Sequence, residues 1–255
     1  MDLSVICPVY NNVETMLPMI TSFQQQDIGN YEIEYIFVCN GCTDNSKEVI
    51  KGLTALYPKT FKNCKIFEPD FADVGLARNF GVEHSTGDYI FFCDMDDWFL
   101  SRTVFKELLN LTKIYPNTIL HFKFDLPKKD WFFLRDDRVF FMTYWRMKYL
   151  SSCMVWQFLF PRKVFDLITF LPDKKGEDDL FFTDEMKQLL KQGVLKIKHL
   201  EDEYYFWDCM NPKSYSYKKN TQDKILTKRE VIDYVNHLPE EAITPLMQDV
   251  VKHLL

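Results

Sequence analysis

The stretch GDYIFFCDMDDWF, Gly87 to Phe99, runs from a turn residue through an apolar strand into four positions that hold three carboxylates. Tyr89 to Cys93 reads as a strand buried on both faces, the pattern of a parallel sheet. Three acids within four residues repel one another, so beside such a strand their charge has to be solvated or neutralised. Side chains alternate along an extended chain, which sets Asp94 and Asp96 on one side. Oxygen ligands so placed suit a hard divalent cation, Mg²⁺ or Mn²⁺, taken together with substrate phosphates. The competing reading is a solvated acidic turn that merely ends a strand, and the flanking residues have to decide.

Upstream the chain alternates between strands and helices. LSVICPVY is a short buried strand, and after Asn11-Asn12 a helix-like stretch runs to Gln26 with Pro18 as an interruption. IEYIFVCN is a second strand, Thr43 and Asp44 cap a predicted helix over 45–56, Cys64 to Phe67 is a third strand, and a helix spans Val74 to Glu83. This order predicts an α/β fold with a mostly parallel sheet and helices on both faces. Ligands of such sheets collect at the carboxyl ends of the strands. Pro8 to Asn11, Asn40 to Asp44 and Asp94 to Asp97 all fall there, which favours a functional site.

Downstream the pattern changes. A helix near 103–114, strands near 119–124 and 131–141, a stretch over 154–160 and a helix around Val164 predict mixed or antiparallel additions to the sheet. Residues 221–255 read as a small helical C-terminal appendage broken at Pro239, leaving 1–220 as the main domain. A chain of 255 residues with 47% hydrophobic and 16% aromatic residues is long and apolar enough to bury a large core, which excludes a disordered chain. No apolar run is long enough to span a bilayer, and MDLSVICPVYNN lacks the features of a signal peptide, so a soluble, cytoplasmic protein is expected. An odd number of cysteines, seven, with Cys7, Cys39 and Cys93 in or beside apolar strands, fits free thiols in a reducing compartment. Cys39-Asn40-Gly41-Cys42 is a C-x-x-C without a second C-x-x-C or paired histidines, and neither metal nor redox use is expected of it.

The net charge of −6 is unevenly spread. Between His121 and Lys163 basic residues, among them Lys128, Lys129, Arg135, Arg138 and Arg162, outnumber acidic ones and are interleaved with aromatics. That is a face for an anionic partner or, equally, cations on a solvated face over an aromatic core.

Four pieces, SVICPVYNN, NGCTDNS, GLARNFGVEHSTGDYIFFCDMDDWF and KKGEDDLFF, stand in the order and spacing of the family 2 glycosyltransferases of the GT-A fold. The chain resembles that family over roughly its first 185 residues, with Gly75 to Asp97 the most specific run. The resemblance implies a Rossmann-like mixed sheet and a metal-dependent, inverting transfer of a sugar from a nucleoside diphosphate sugar to an acceptor hydroxyl. It implies a nucleotide-binding half over 1–98 and an acceptor-binding half over 99–220. Pro8, Tyr10, Asn11, Asn40 and Asp44 would hold the nucleoside, and Arg78 would contact base or phosphate unless it is an internal partner of a loop carboxylate. Asp96 would ligate the metal, Asp94 metal or ribose, and Asp97 the hydroxyls of the donor sugar. Asp178 would be the general base, with Glu177 and Asp179 as neighbours that raise its pKa; the alternative is an acidic helix start.

One departure concerns the base. Where the family usually reads Asp-Asp-Gly-Ser-Thr-Asp, this chain reads Cys39-Asn40-Gly41-Cys42-Thr43-Asp44. An Asn amide donates and accepts, so Asn40 could pair with uracil or with another base; a UDP-sugar is favoured. Two other functions compete: an inactive relative that binds nucleotide sugars as a scaffold, and a sugar nucleotidyltransferase. The latter needs a Gly-rich basic loop after the first strand, and CPVYNN is neither. The acceptor is left open among saccharide, lipid-linked intermediate, protein and modified nucleic acid. No histidine shows a paired spacing, and His199 is the one singled out as an extra metal or phosphate contact. Tyr204, Tyr205 and Trp207 read as an aromatic strand, core or sugar wall.

Overall fold

The computed structural model describes residues 1–125, 131–135, 138–142, 154–173, 178–206 and 224–225. In chain order the elements are β1 Leu3–Val9, α1 Leu17–Gln24, β2 Ile33–Cys39, α2 Ser46–Leu56, β3 Cys64–Phe67, α3 Val74–Glu83, β4 Tyr89–Phe92, β5 Trp98–Phe99, α4 Val104–Ile114 and β6 Ile119–Asp125, then β7 Trp131–Arg135, β8 Arg138–Met142, β9 Phe158–Pro161, α5 Asp178–Lys191, β10 Ile197–Phe206 and β11 Lys224–Ile225. Two compact units form: Met1–Asp125 with Ser152–Asp208, and Leu126–Ser151 with Cys209–Leu255.

In the first unit eight strands order as β3-β2-β1-β4-β9-β6-β10-β5. β1 pairs in parallel with β2 and β4, β2 with β3, and β6 with β10, while β9 and β5 run against their neighbours. This is the GT-A arrangement, a mixed and mostly parallel sheet. Alternation along each strand divides the core into two layers, both buried. Tyr35, Phe37 and Phe91 face one side, where they meet Phe23 of α1 and, through Phe91, Phe99 and Phe105. Ile36, Val38, Ile90 and Phe92 face the other, where Ala77 of α3 and Phe182 and Met186 of α5 complete the cluster. A sheet buried on both faces needs strands that are apolar throughout, and β2 is buried at every position.

Pro18 does not interrupt α1. It sits in the first turn, where its missing N–H has no partner to lose, so it starts the helix at Leu17. The strand expected over 131–141 is two strands: Arg135 pairs with Arg138, so the chain reverses between them, and β11, β7 and β8 form an antiparallel sheet in the second unit. Apart from β11, the expected appendage over 221–255 lies outside the described residues.

At the start of β1 a buried polar knot closes the sheet. Glu34 accepts from Ser4 Oγ at 2.7 Å, from Thr86 Oγ1 at 3.0 Å, from Thr86 N, and from Lys65 Nζ at 2.8 Å. Burial pushes its carboxyl up, but the bonds from Lys65, Ser4 and Thr86 outweigh it and hold the group at about 2. Gly87 N donates to Ser4 Oγ in the same knot, and a Cβ there would stand 2.5 Å from Ser4 N and 2.6 Å from Leu3 C. Backbone cannot yield cheaply, so Gly87→Ala is expected to cost roughly 1–3 kcal/mol. Urea unfolding tests this: the midpoint should fall at unchanged slope.

The link from β4 to β5 sets the shape. Only residues 93–97 join them, yet β9, β6 and β10 stand between them in the sheet. Four strand spacings in a flat sheet come to about 19 Å, nearly the ~20 Å that six extended residue steps reach. The link also contains a turn at 95–96, so the sheet has to curl to bring β5 within reach.

Candidate active site

That short link is the acidic run. Met95 is 1% exposed and anchors it in the core, while Asp94 and Asp96 on either side of it are half-buried. Asp97 follows Met95 inward and is 1% exposed, so in this conformation it is not open to a sugar hydroxyl. From β10, the hydroxyl of Tyr205 accepts the Asp94 N–H at 3.0 Å, and the Tyr205 ring stacks on Trp156 at 4.8 Å. The run is thus held from below as well as at both ends.

Arg78 faces it from α3. Asp73 caps that helix, accepting the Leu76 N–H at 2.8 Å, and the second Asp73 oxygen accepts from Asp173 N at 2.9 Å. The Arg78 guanidinium is buried over the Phe170 ring at 5.4 Å. Its Nη1 donates to Asp178 Oδ2 and Asp179 Oδ1 at the start of α5, and its Nη2 to Asp94 Oδ1 at 3.4 Å. Asp179 Oδ2 also accepts from Val155 N at 3.1 Å. Three carboxylates therefore share one guanidinium. Burial pushes the Asp179 carboxyl up to about 7 against the pull of Arg78, with Asp178 and Asp94 adding to the rise. Burial raises Asp94 too, again opposed by Arg78. Burial would lower Arg78, but Asp179, Asp178 and Asp94 keep it charged.

The loops after β1 and β2 are knitted together by the residues expected to touch a nucleoside. Asn11, at a φ of 53°, accepts from Thr43 N at 2.8 Å and Asp44 N at 3.2 Å. Asp44 accepts from Ser46 N at 2.9 Å in a turn ahead of α2, and from Val13 N at 3.2 Å; the N-cap itself is Asn45, not the expected Thr43 or Asp44, and Thr43 serves Asn11. Asn40 is buried, its amide donating to Asp73 O at 2.9 Å and accepting from Phe71 N at 3.1 Å. The expected pairing of Asn40 with a base edge is not open in this conformation, because the side chain is buried and turned onto the 71–73 backbone at both ends of the amide. Pro8, half-buried, and Tyr10, 51% exposed, remain open beside these braces.

Among the described residues no three His, Cys, Asp or Glu side chains form a ready-made metal cage. Mg²⁺ and Mn²⁺ seldom use one: one or two carboxylates and substrate phosphates complete their shell. The donor set of Asp94 and Asp96, beside carboxylates in excess of their guanidinium, fits an ion that arrives with a diphosphate.

Of the residues that shape the site, Asp73 escaped the sequence reading, while Asp179 entered it only as a neighbour of Asp178 and Tyr205 only as core or sugar wall. An Asp before an apolar-periodic run is a cap signal and would have identified Asp73; the other two depend on long-range packing. Glu177, Lys128, Lys129 and Trp207 lie outside the described residues. His199 meets His121 across β10 and β6, Nδ1 to Nδ1 at 2.9 Å, and not the acidic run. Two expected cations of the basic stretch are engaged internally: Lys123 pairs with Glu201, and Arg162 donates to Gly87 O at 2.6 Å and Ser85 Oγ at 2.8 Å.

The sequence model of glycosyl transferase family 2 matches residues 4–170. The chain is 33% identical over 118 residues to the minor teichoic acid biosynthesis protein GgaB of Bacillus subtilis, covering 46% of this chain and 13% of that protein. The chain thus spans a small part of that relative's length. Its fold matches S. aureus TarS 1–349 in complex with UDP-GlcNAc at a TM-score of 0.65 and 16% identity, over 100% of this chain and 71% of that one. It also matches the mannosyltransferase PcManGT from Pyrobaculum calidifontis, in complex with GDP-Man and Mn²⁺, at a TM-score of 0.61 and 14% identity, over 99% and 68%.

Proposed function

The chain belongs to glycosyl transferase family 2, and on that premise we propose that it moves a sugar from a UDP-sugar to an acceptor hydroxyl, with a divalent cation and with inversion. One observation carries this reading. Arg78 gathers Asp94 from the end of β4 and Asp178 from α5, residues far apart in sequence, into one buried cluster.

In the proposed mechanism Pro8 and Tyr10 receive the nucleoside on loops braced by Asn11, Asn40 and Asp44, and Asp94 and Asp96 present oxygens toward the diphosphate. The divalent ion, when bound, supplies neutralisation of the charge that grows on the leaving diphosphate. Asp178 takes the acceptor proton as general base. Arg78 and Asp179 hold its orientation, one Asp178 oxygen being engaged by the guanidinium. A single base, with no second carboxylate assigned as nucleophile, gives one displacement and inversion. Uridine is favoured by the likeness to TarS crystallised with UDP-GlcNAc, while PcManGT with GDP-Man marks the alternative base. An anionic acceptor is supported by the name of GgaB and by the basic stretch that includes Lys128 and Lys129. No helix among the described residues is long and apolar enough to cross a membrane.

The test is ligand-induced stabilisation. UDP with Mn²⁺ should raise the melting temperature, a saturating ligand at a hundred times its Kd contributing about 2.7 kcal/mol. Asp96→Asn exchanges a charged oxygen for a neutral amide, and roughly tenfold weaker Mn²⁺-dependent UDP affinity is expected. If no nucleoside diphosphate stabilises the chain with metal present, the donor reading fails; if GDP or CDP does and UDP does not, the base is reassigned.

A further inference from the structure

The C-x-x-C, given no role by spacing alone, has its second sulfur placed between the two braced loops. Cys39 closes β2 and is fully buried, and Cys42 is half-buried three residues on. Gly41 between them adopts a φ of 69°, a left-handed turn, and the two thiols lie near enough to perturb each other's ionisation in opposite directions. Cys42 Sγ donates to Val9 O at 3.3 Å, and the Asn11 backbone amide favours its thiolate form. The sulfur therefore ties the loop after β1 to the loop after β2, at the junction where Asn11 holds Thr43 and Asp44. The interaction with Cys39 and the Asn11 amide hold the Cys42 thiol down at about 7 despite burial, while the same interaction and burial push Cys39 up. An accessible nucleophilic thiol beside a buried resolving one is the division found in reactive dithiols. Cys64 and Cys93 differ: burial raises both.

We propose that Cys39 and Cys42 form a reversible dithiol–disulfide site that sets the geometry of the two loops and, resting on the donor reading above, the affinity for the nucleoside diphosphate. The oxidant is a low-molecular-weight disulfide such as oxidised glutathione. Cys42 thiolate attacks one of its sulfurs, forming a mixed disulfide and expelling one glutathione thiolate; Cys39 loses its proton to solvent, attacks the Cys42 sulfur and expels the second. The protein loses two electrons, the small disulfide gains them, and two glutathione thiols result. Once oxidised, Cys42 has no proton to donate to Val9 O and its sulfur is drawn from Asn11 toward Cys39, so the tie between the loops is lost.

The experiment equilibrates the full chain in glutathione buffers from reducing to oxidising, then reads each sample by alkylation with peptide mass and by hydrogen exchange. The expected result is a Cys39–Cys42 disulfide peptide, lighter by two hydrogens, with faster amide exchange over 9–13 and 40–46, both reversed by reductant. Cys42→Ser keeps a donor for Val9 O and should exchange equally at every poise. Thiols that stay alkylatable, glutathione adducts without a disulfide, or a disulfide without change in loop exchange would each overturn the proposal. UDP affinity with Mn²⁺ is read on the same samples, and a drop of roughly tenfold or more on oxidation is expected. A reduced chain that binds no nucleoside diphosphate refutes the donor reading, whereas the disulfide and exchange readouts need no ligand and judge the thiol site separately.

Discussion

Arg78→Met lowers the stability of the fold by about 3–5 kcal/mol at neutral pH, the scale for removing one partner from a buried ionic cluster. Methionine fills the space of the side-chain stem, so packing against Phe170 is largely kept and the loss reports charge. Asp178, Asp179 and Asp94 would be left facing one another without a counter-ion. The pH dependence identifies the cause. Asp179 already has its folded pKa raised, from 3.8 to about 7, so its contribution is fully present below about pH 4 and is lost as pH rises through 7. Losing Arg78 raises it further, so the deficit of the variant against wild type should shrink as pH falls from alkaline values toward 7, where only the variant takes up the proton. Urea unfolding across that range decides it: a deficit that stays constant would mean the loss is packing. Arg78→Lys keeps the charge but not the fork that spans two carboxylates, and should fall between.

Asp178→Asn separates chemistry from binding. The amide keeps the shape and can no longer take a proton, so transfer should fall by roughly 10²-fold or more. Affinity for UDP with Mn²⁺ should hold, because Asp94 and Asp96 are untouched. Stability should hold as well, since three carboxylates crowd one guanidinium and the loss of one charge relieves repulsion between the others. Single-turnover transfer measured beside nucleotide affinity tests both halves. Undiminished transfer would move the base to Asp179, whose raised pKa already suits a proton acceptor near neutrality.

What the sequence made legible was whatever local chemistry determines. The bounds of α3 follow from an apolar period after Asp73, and Asp94 and Asp96 share the same partial exposure around a buried Met95, as their spacing of two predicts. Pro18 was misread because a proline is equally a helix start and a helix break, and only its distance from the first turn tells which. Asn40 was assigned to a base because an amide can pair with one; that backbone from the 71–73 loop reaches it first depends on how β3 delivers that loop, which no local pattern encodes. Arg78 is the same lesson at longer range. Its pairing with a carboxylate was one of two readings, but the identity of the partners required α5 to lie beside α3 across a sequence separation of 100 residues.

The five-residue link between β4 and β5 gives the site a place in the order of assembly. β5 is two residues long and pairs with the far end of β10, Phe99 opposite Tyr205 and Trp98 opposite Phe206, with the Trp98 and Phe206 rings stacked at 4.2 Å. The run of carboxylates thus has its first anchor early in the chain and its second only when residues about a hundred positions later have joined the sheet. A growing chain can build the β3-β2-β1-β4 half from local crossovers while Asp94, Asp96 and Asp97 still hang loose in water, where their mutual repulsion is screened and harmless. The concentrated negative charge is thus held between a strand that precedes it directly and one that lies about a hundred residues further along the chain.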